Sequence, residues 1–262
     1  MHQIRCELLS HEVLSSGYGR LKLAAGDIAR DARPGQFVHM QVPGLEGHVL
    51  RRPFSICDAT ADGVLTIVYK VVGTGTARLA ECPIGAEIDV MGPLGHGFTP
   101  PADGRPYILV AGGYGCAAMY FAARAAAKPP LVLLGARTAH DLLLTEEFAA
   151  LGCNVGIATN DGSHGRKGFV TELLREALAA APSAFVAACG PKPMLKAVAL
   201  LCQEFQQVAC EVSLDEIMCC GVGACFGCVV KGKDAAAPSG WRYLRSCKEG
   251  PVFDGREIWW DE

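Results

Sequence analysis

The sequence predicts a β-barrel followed by an α/β domain, with a small cysteine-rich segment at the C-terminal end. Three observations carry this. Residues 1–101 hold many short apolar or alternating runs cut by turn signals. Over 102–209 apolar strand candidates alternate with helical ones, and 210–262 concentrates cysteine and glycine with little regular patterning. A chain of 262 residues has room for two domains and an appendage. With 50% hydrophobic and 19% charged residues it is globular, and a net charge of −3 without a basic cluster argues against a nucleic-acid partner.

In the first region "RCELLS", "GRLKLAA", "QFVHMQV", "RRPFSIC", "VLTIVYKVV" and "AEIDVMG" read as strands. "RPGQ", "ADG" and "CPIG" turn between them, and one short helix is predicted at "TARLAE". Many short strands at this spacing predict a small antiparallel barrel or sandwich. "PPADGRP" at 100–106 reads as a linker. After it "YILVAG" precedes "CAAMYFAARAAA", "PLVLLGA" precedes "LTEEFAAL", "NVGIAT" precedes "GFVTELLREALAA", and "AFVAACG" precedes "KPMLKAVALLCQEF". That alternation predicts a parallel sheet with crossover helices. The uncharged run from Pro106 to Ala123 is broken by Gly112, Gly113 and Gly115, so strand, turn and helix explain it better than a membrane span. The first residues lack the pattern of a secretion signal, which predicts a cytoplasmic protein with reduced thiols.

Of thirteen cysteines, nine (Cys6, Cys57, Cys82, Cys116, Cys153, Cys189, Cys202, Cys210 and Cys219) read as small buried hydrophobes. The other four, Cys220, Cys225, Cys228 and Cys247, have the spacing C-x4-C-x2-C followed by a later cysteine, which is that of plant-type [2Fe–2S] clusters. Gly221, Gly223 and Gly227 let the backbone approach closely and aim N–H groups at the sulfurs. Structural zinc usually takes two close cysteine pairs, and only one is present here. Cys219 could replace Cys220, but the x4 spacing favours Cys220, and the Cys219 side chain is expected to point away.

Two further signals are weaker. "VAGGYGCAAMY" follows a strand and opens a helix, and Gly113, Gly115 and Ala118 satisfy a loose G-x-G-x-x-A dinucleotide pattern. The usual acidic ribose ligand is missing, with Arg137 preceding Asp141 instead, so NAD and NADP are both open. In the β-rich region Arg52 could neutralise a diphosphate, Ser55 could hydrogen-bond it, and Phe54 could pack on a ring. Gly75 and Thr76 offer a helix-start anion site.

The order R-P-F-S, G-T-G-T, G-G-Y-G, "CGPKPM" and C-x4-C-x2-C resembles the ferredoxin–NADP reductase superfamily. The wording "MCCGVGACFGC", with "GPLGHGF" and "KEGPVFDG", resembles the electron-transfer subunits of NAD-linked dihydroorotate dehydrogenases. The resemblance implies a ferredoxin-reductase-like two-domain fold with a C-terminal [2Fe–2S] subdomain. It implies FAD at Arg52, Pro53, Phe54, Ser55, Val68, Tyr69, Lys70, Gly75 and Thr76. It also implies the nicotinamide nucleotide at Gly112, Gly113, Gly115, Gly190 and Pro191. Tyr114 and Ala118 depart from the family's usual Ile and Pro, and Cys219 stands where cysteine is not usual. The implied partner is an FMN-containing catalytic subunit, two copies of each forming a heterotetramer, with electrons passing through cluster and FAD to NAD+. No classical acid–base residue is required. Cys189 reads either as a nicotinamide-pocket residue or as a buried structural thiol. The alternatives are a similar module serving a sulfite reductase, a hydrogenase or a bifurcating flavoenzyme, and a zinc-stabilised nucleotide sensor.

Overall fold

The computed structural model describes residues 1–15, 17–45, 47 and 49–260. The first region contains β1 (His2–Ser15), β2 (Tyr18–Ala24), α1 (Asp27–Arg30), β3 (Phe37–Gln41), β4 (Arg52–Ala59), β5 (Val64–Lys70), α2 (Thr74–Ala80) and β6 (Glu87–Leu94). Its six strands close into an antiparallel barrel in the order β1-β2-β5-β4-β3-β6. Period-two patterning fixes the register, because a one-residue slip would carry the apolar set to the wrong face. In β2, Leu21 and Leu23 point into the barrel while Lys22 is exposed. The one-turn α1 carries no sequence pattern long enough to predict it.

In β3 the alternation fails informatively. Val38 and Met40 belong to the barrel core, yet Phe37 and His39, on the opposite face, are also buried. Phe37 is covered by the C-terminal segment, packing with Leu94, Met218, Cys228 and Cys247, while the ring of His39 abuts Gly221 of that segment.

The second region contains β7 (Tyr107–Gly112), α3 (Cys116–Ala125), β8 (Leu131–Ala136), α4 (Thr145–Ala150), β9 (Asn154–Thr159), β10 (Arg166–Lys167), α5 (Val170–Ala180), β11 (Phe185–Cys189), α6 (Lys192–Gln203) and β12 (Ala209–Ser213). The uncharged run 106–123 becomes β7, a turn and the start of α3. Among the described residues no helix is long and apolar enough to cross a membrane. Leu109 and Ala111 of β7 enter one core and Ile108 and Val110 the other, so both sheet faces are covered. On α5, Val170, Leu174 and Leu178 recur every four residues and dock on the sheet. Burying each leucine contributes about 1.5–3 kcal/mol.

The sheet order is β10-β9-β8-β7-β11-β12-β15, where β15 is Val252–Asp254. All neighbours are parallel except β12 and β15. The strand order reverses between β7 and β11, and the crevice beyond the C-terminal ends of such strands is where open α/β sheets bind ligands. The expectation of little regular structure after Cys210 is corrected here. β12 and β15 extend the sheet, and β13 (Val229–Lys233) pairs with β14 (Trp241–Arg245) as a hairpin. On one face of the hairpin Val230 and Leu244 pack on the sheet core, and on the other Lys231 Nζ stands 4.7 Å over the Trp241 ring, which meets Tyr243 edge-on.

Candidate functional site

Barrel, sheet and C-terminal segment meet at a cleft of about 230 Å³. β4 supplies Arg52, Pro53, Phe54 and Ser55, β5 supplies Val68, Tyr69 and Lys70, and α2 supplies Thr76. The sheet contributes Gly115, Cys189, Gly190 and Ser213, and the segment after it Asp215 and Met218. Arg52 and Lys70 make the cleft suitable for a diphosphate, while Phe54, edge-on to Tyr69 at 6.3 Å, gives it an apolar wall. Gly75 does not line it. Gly75 is buried behind Arg52, whose Nε lies 3.0 Å from where a Cβ would stand. Thr76 secures the turn by accepting the Val72 and Gly73 N–H groups at 2.9 and 3.2 Å.

A second cleft of about 670 Å³ lies over the C-terminal ends of the sheet. Gly112, Gly113 and Pro191 line it, whereas Gly115 and Gly190 face the first cleft. Gly115 serves close approach: a Cβ there would stand 2.3 Å from the Cys189 carbonyl oxygen, so glycine lets the β7 turn touch the end of β11. Tyr114 and Lys70 line both clefts and mark their junction. Tyr114 donates its hydroxyl to Asp215 at 3.0 Å. Lys70 donates to the Tyr18 hydroxyl at 2.8 Å, which donates to Asp141 at 2.9 Å. Burial works against the Asp141 charge, but the Tyr18 hydrogen bond and the Lys70 charge outweigh it and hold the carboxyl below its ordinary range. Asp141 is thus engaged with the barrel. Burial, and then Asp215, push the Cys189 thiol up to about 12, so it stays protonated. Cys189 lines the first cleft, beside Tyr114 and Gly190, and is buried in the sheet core.

The four candidate ligands stand as two pairs, with Cys220 in side-chain contact with Cys225, and Cys247 with Cys228. Among the described residues no three His, Cys, Asp or Glu side chains converge as a single ion requires. Two thiols on each of two irons fit a [2Fe–2S] cluster. Backbone donors are already aimed at the sulfurs. Gly223 N–H reaches Cys247 Sγ at 3.1 Å, and Cys228 and Cys225 accept from Cys247 and Gly227 N–H at 3.4 Å each. At Cys220 burial opposes ionisation, but the N–H groups of Val222, Cys225 and Ala224 win and bring the thiol down to about 6. Cys247 is pushed up to about 12 by burial and then by Cys228. Arg245 clamps the loop, donating to the Gly223 carbonyl at 2.8 Å and to Glu249, with its guanidinium 4.9 Å from the Phe226 ring centre.

Cys219 does not point away from this loop. Its Sγ lies 3.3 Å from where a Cβ on Gly227 would be, and Cys225 Sγ lies 3.5 Å from the same point. Sequence reasoning missed Tyr18, Phe37, His39, Ser213, Asp215 and Met218. Ser213 and Asp215 carried a usable signal, since they follow a parallel strand at its ligand-binding end.

A closed barrel beside a parallel sheet, with a cleft between them and a thiol loop against the barrel, defines a ferredoxin-reductase-like flavoprotein with an iron–sulfur appendage. The structure superposes with a TM-score of 0.84, at 30% identity over 98% of this chain and 91% of the other, on a chain of an NADH-dependent reduced ferredoxin–NADP oxidoreductase. It superposes with a TM-score of 0.67 on a Neisseria gonorrhoeae ferredoxin NADP+ reductase, at 16% identity over 81% of this chain and 99% of the other, a likeness of fold. Residues 5–98 match the oxidoreductase FAD-binding domain and 109–200 the oxidoreductase NAD-binding domain. Residues 215–259 match the iron–sulfur cluster binding domain of dihydroorotate dehydrogenase B. The chain is 40% identical over 245 residues (92% of each chain) to the dihydroorotate dehydrogenase B (NAD(+)) electron transfer subunit of Desulforamulus reducens. It is 37% identical to that of Geobacillus sp., over 98% of this chain and 99% of the other. The chain belongs to the family of dihydroorotate dehydrogenase B electron transfer subunits, and is an oxidoreductase component with FAD-, NAD- and iron–sulfur-binding domains.

Proposed function

We propose that this chain carries electrons between the FMN of a dihydroorotate-oxidising partner and NAD+, in the cytoplasm, as half of a two-plus-two heterotetramer serving pyrimidine synthesis. One observation carries the reading. Phe37 and Met218 line the flavin-type cleft and also pack on Cys228 and Cys247, so the ligand thiols and the cleft share a wall. When bound, a [2Fe–2S] cluster supplies one-electron transfer, and FAD joins it to the two-electron chemistry of NAD+.

The protein's part is placement. Cys220, Cys225, Cys228 and Cys247 would hold the cluster, with the loop N–H groups tuning their sulfurs. Arg52, Pro53, Phe54 and Ser55, with Val68, Tyr69, Lys70 and Thr76, would hold FAD. Gly75 would serve the same site by giving Arg52 room to lie against the turn. Gly112, Gly113 and Pro191 receive the nucleotide, while Gly115 and Gly190 form the joint between the two clefts. Exposed Ile217 (84%), Val222 and Phe226 surround the thiol loop, and Val49 and Leu50 lie exposed before β4, which supports a partner docking beside the cluster.

A second reading keeps the cofactors and changes the partner to a bifurcating flavoenzyme, favoured by the 0.84 superposition. Iron, sulfide and flavin analysis of anaerobically purified protein tests the cofactor assignment. About two irons and one FAD per chain are expected, and protein without flavin would contradict it. Affinity purification from the native cell separates the two partners, since an FMN dihydroorotate dehydrogenase subunit is expected to co-elute.

A further inference from the structure

His39 is fully buried (0% exposed), and neither ring nitrogen has a hydrogen-bond partner. It leaves the barrel on the same face of β3 as Phe37, toward the thiol loop. Its Nδ1 lies 2.6 Å from where a Cβ on Gly221 would stand, and Gly221 has φ +71°, so only glycine admits the ring at that point. The carbonyls of Cys220 and Arg51 face the ring as its nearest acceptors, close enough to attract a ring N–H but short of a well-formed hydrogen bond. A buried imidazole without a partner is rare in native proteins, and an apolar side chain would fill the same space at lower cost. The ring is thus placed to give an N–H to the Cys220 carbonyl of the loop.

We propose that His39 is a positioning residue for the iron–sulfur loop, donating a ring N–H to the Cys220–Gly221 segment and so setting the reduction potential of the cluster. This rests on the reading that Cys220, Cys225, Cys228 and Cys247 hold a cluster. An N–H donated to the loop stabilises the reduced cluster more than the oxidised one, because the reduced form carries the extra negative charge. Removing the donor lowers the potential.

The test is an EPR-monitored redox titration of anaerobic wild-type, His39→Gln and His39→Phe proteins. His39→Phe is expected to shift the midpoint to lower potential, and His39→Gln, which keeps a donor, to stay near wild type. In the wild-type protein labelled with ¹⁵N-histidine, pulsed EPR of the reduced cluster is expected to show weak ¹⁵N coupling, a readout that needs no variant to fold. A His39→Phe midpoint equal to wild type, or no histidine coupling in the wild type, overturns the proposal. A wild-type protein without any cluster signal overturns instead the ligand reading beneath it.

Discussion

Cysteine occupies two kinds of place in this protein. In the cores of barrel and sheet, Cys6, Cys57, Cys116 and Cys189 are buried, and burial raises each thiol. In the C-terminal loop Cys220 is brought down to about 6 because backbone N–H groups converge on its sulfur and outweigh burial. The residue type is the same: backbone N–H groups outweigh burial at Cys220, whereas the buried Cys247 that faces it across the loop is still pushed up to about 12. Glycine-rich turns free N–H groups that a strand or helix would consume internally.

Substitutions can break that contrast. The largest effect is expected from Cys228→Ser, which should abolish cluster loading as read by iron and acid-labile sulfide, whereas Cys116→Ala should keep both. A Cys116→Ala protein without iron would erase the distinction. Cys220→Ser beside Cys219→Ser sharpens it at the doublet. Iron should be lost in the first and kept in the second, although Cys219 Sγ approaches the same loop. Gly115→Ala should weaken the joint between the clefts, lowering stability by about 1–3 kcal/mol and raising the KM for NADH, because its Cβ meets the Cys189 carbonyl. Denaturant unfolding and steady-state kinetics read both. The smallest change is expected from Tyr114→Phe. Losing the hydroxyl bond to Asp215 is worth about 0.5–1.5 kcal/mol, so NADH kinetics should move by no more than about tenfold.

The barrel and the parallel sheet were legible because their strands are long enough to show alternation or continuous apolar runs, as in β2 and β7. The candidate ligand cysteines stand out by spacing alone, and the matched iron–sulfur domain at 215–259 contains all four. Other features were hidden for physical reasons. β13 and β14 mix Lys, Arg and Tyr with few apolar residues, so the short apolar stretch at Val229 and Val230 does not extend into a strand pattern. The contacts of Phe37 and His39 with the loop join positions about two hundred residues apart in sequence, and an outward strand face is ordinarily wet. Gly75 reads from its motif as part of a phosphate-type turn, and its packing against Arg52 could not be read from the sequence. It makes room for Arg52, whose Nε lies 3.0 Å from where a Cβ would stand.

The central claim is that the cluster loop connects a partner to the flavin cleft. The most direct test is dihydroorotate-dependent NADH formation by this chain mixed with the FMN-containing subunit, in wild-type and Cys228→Ser forms. NADH is expected only from the wild-type mixture, with neither protein active alone. NADH from this chain unaided, or an undiminished rate in Cys228→Ser, would contradict the account.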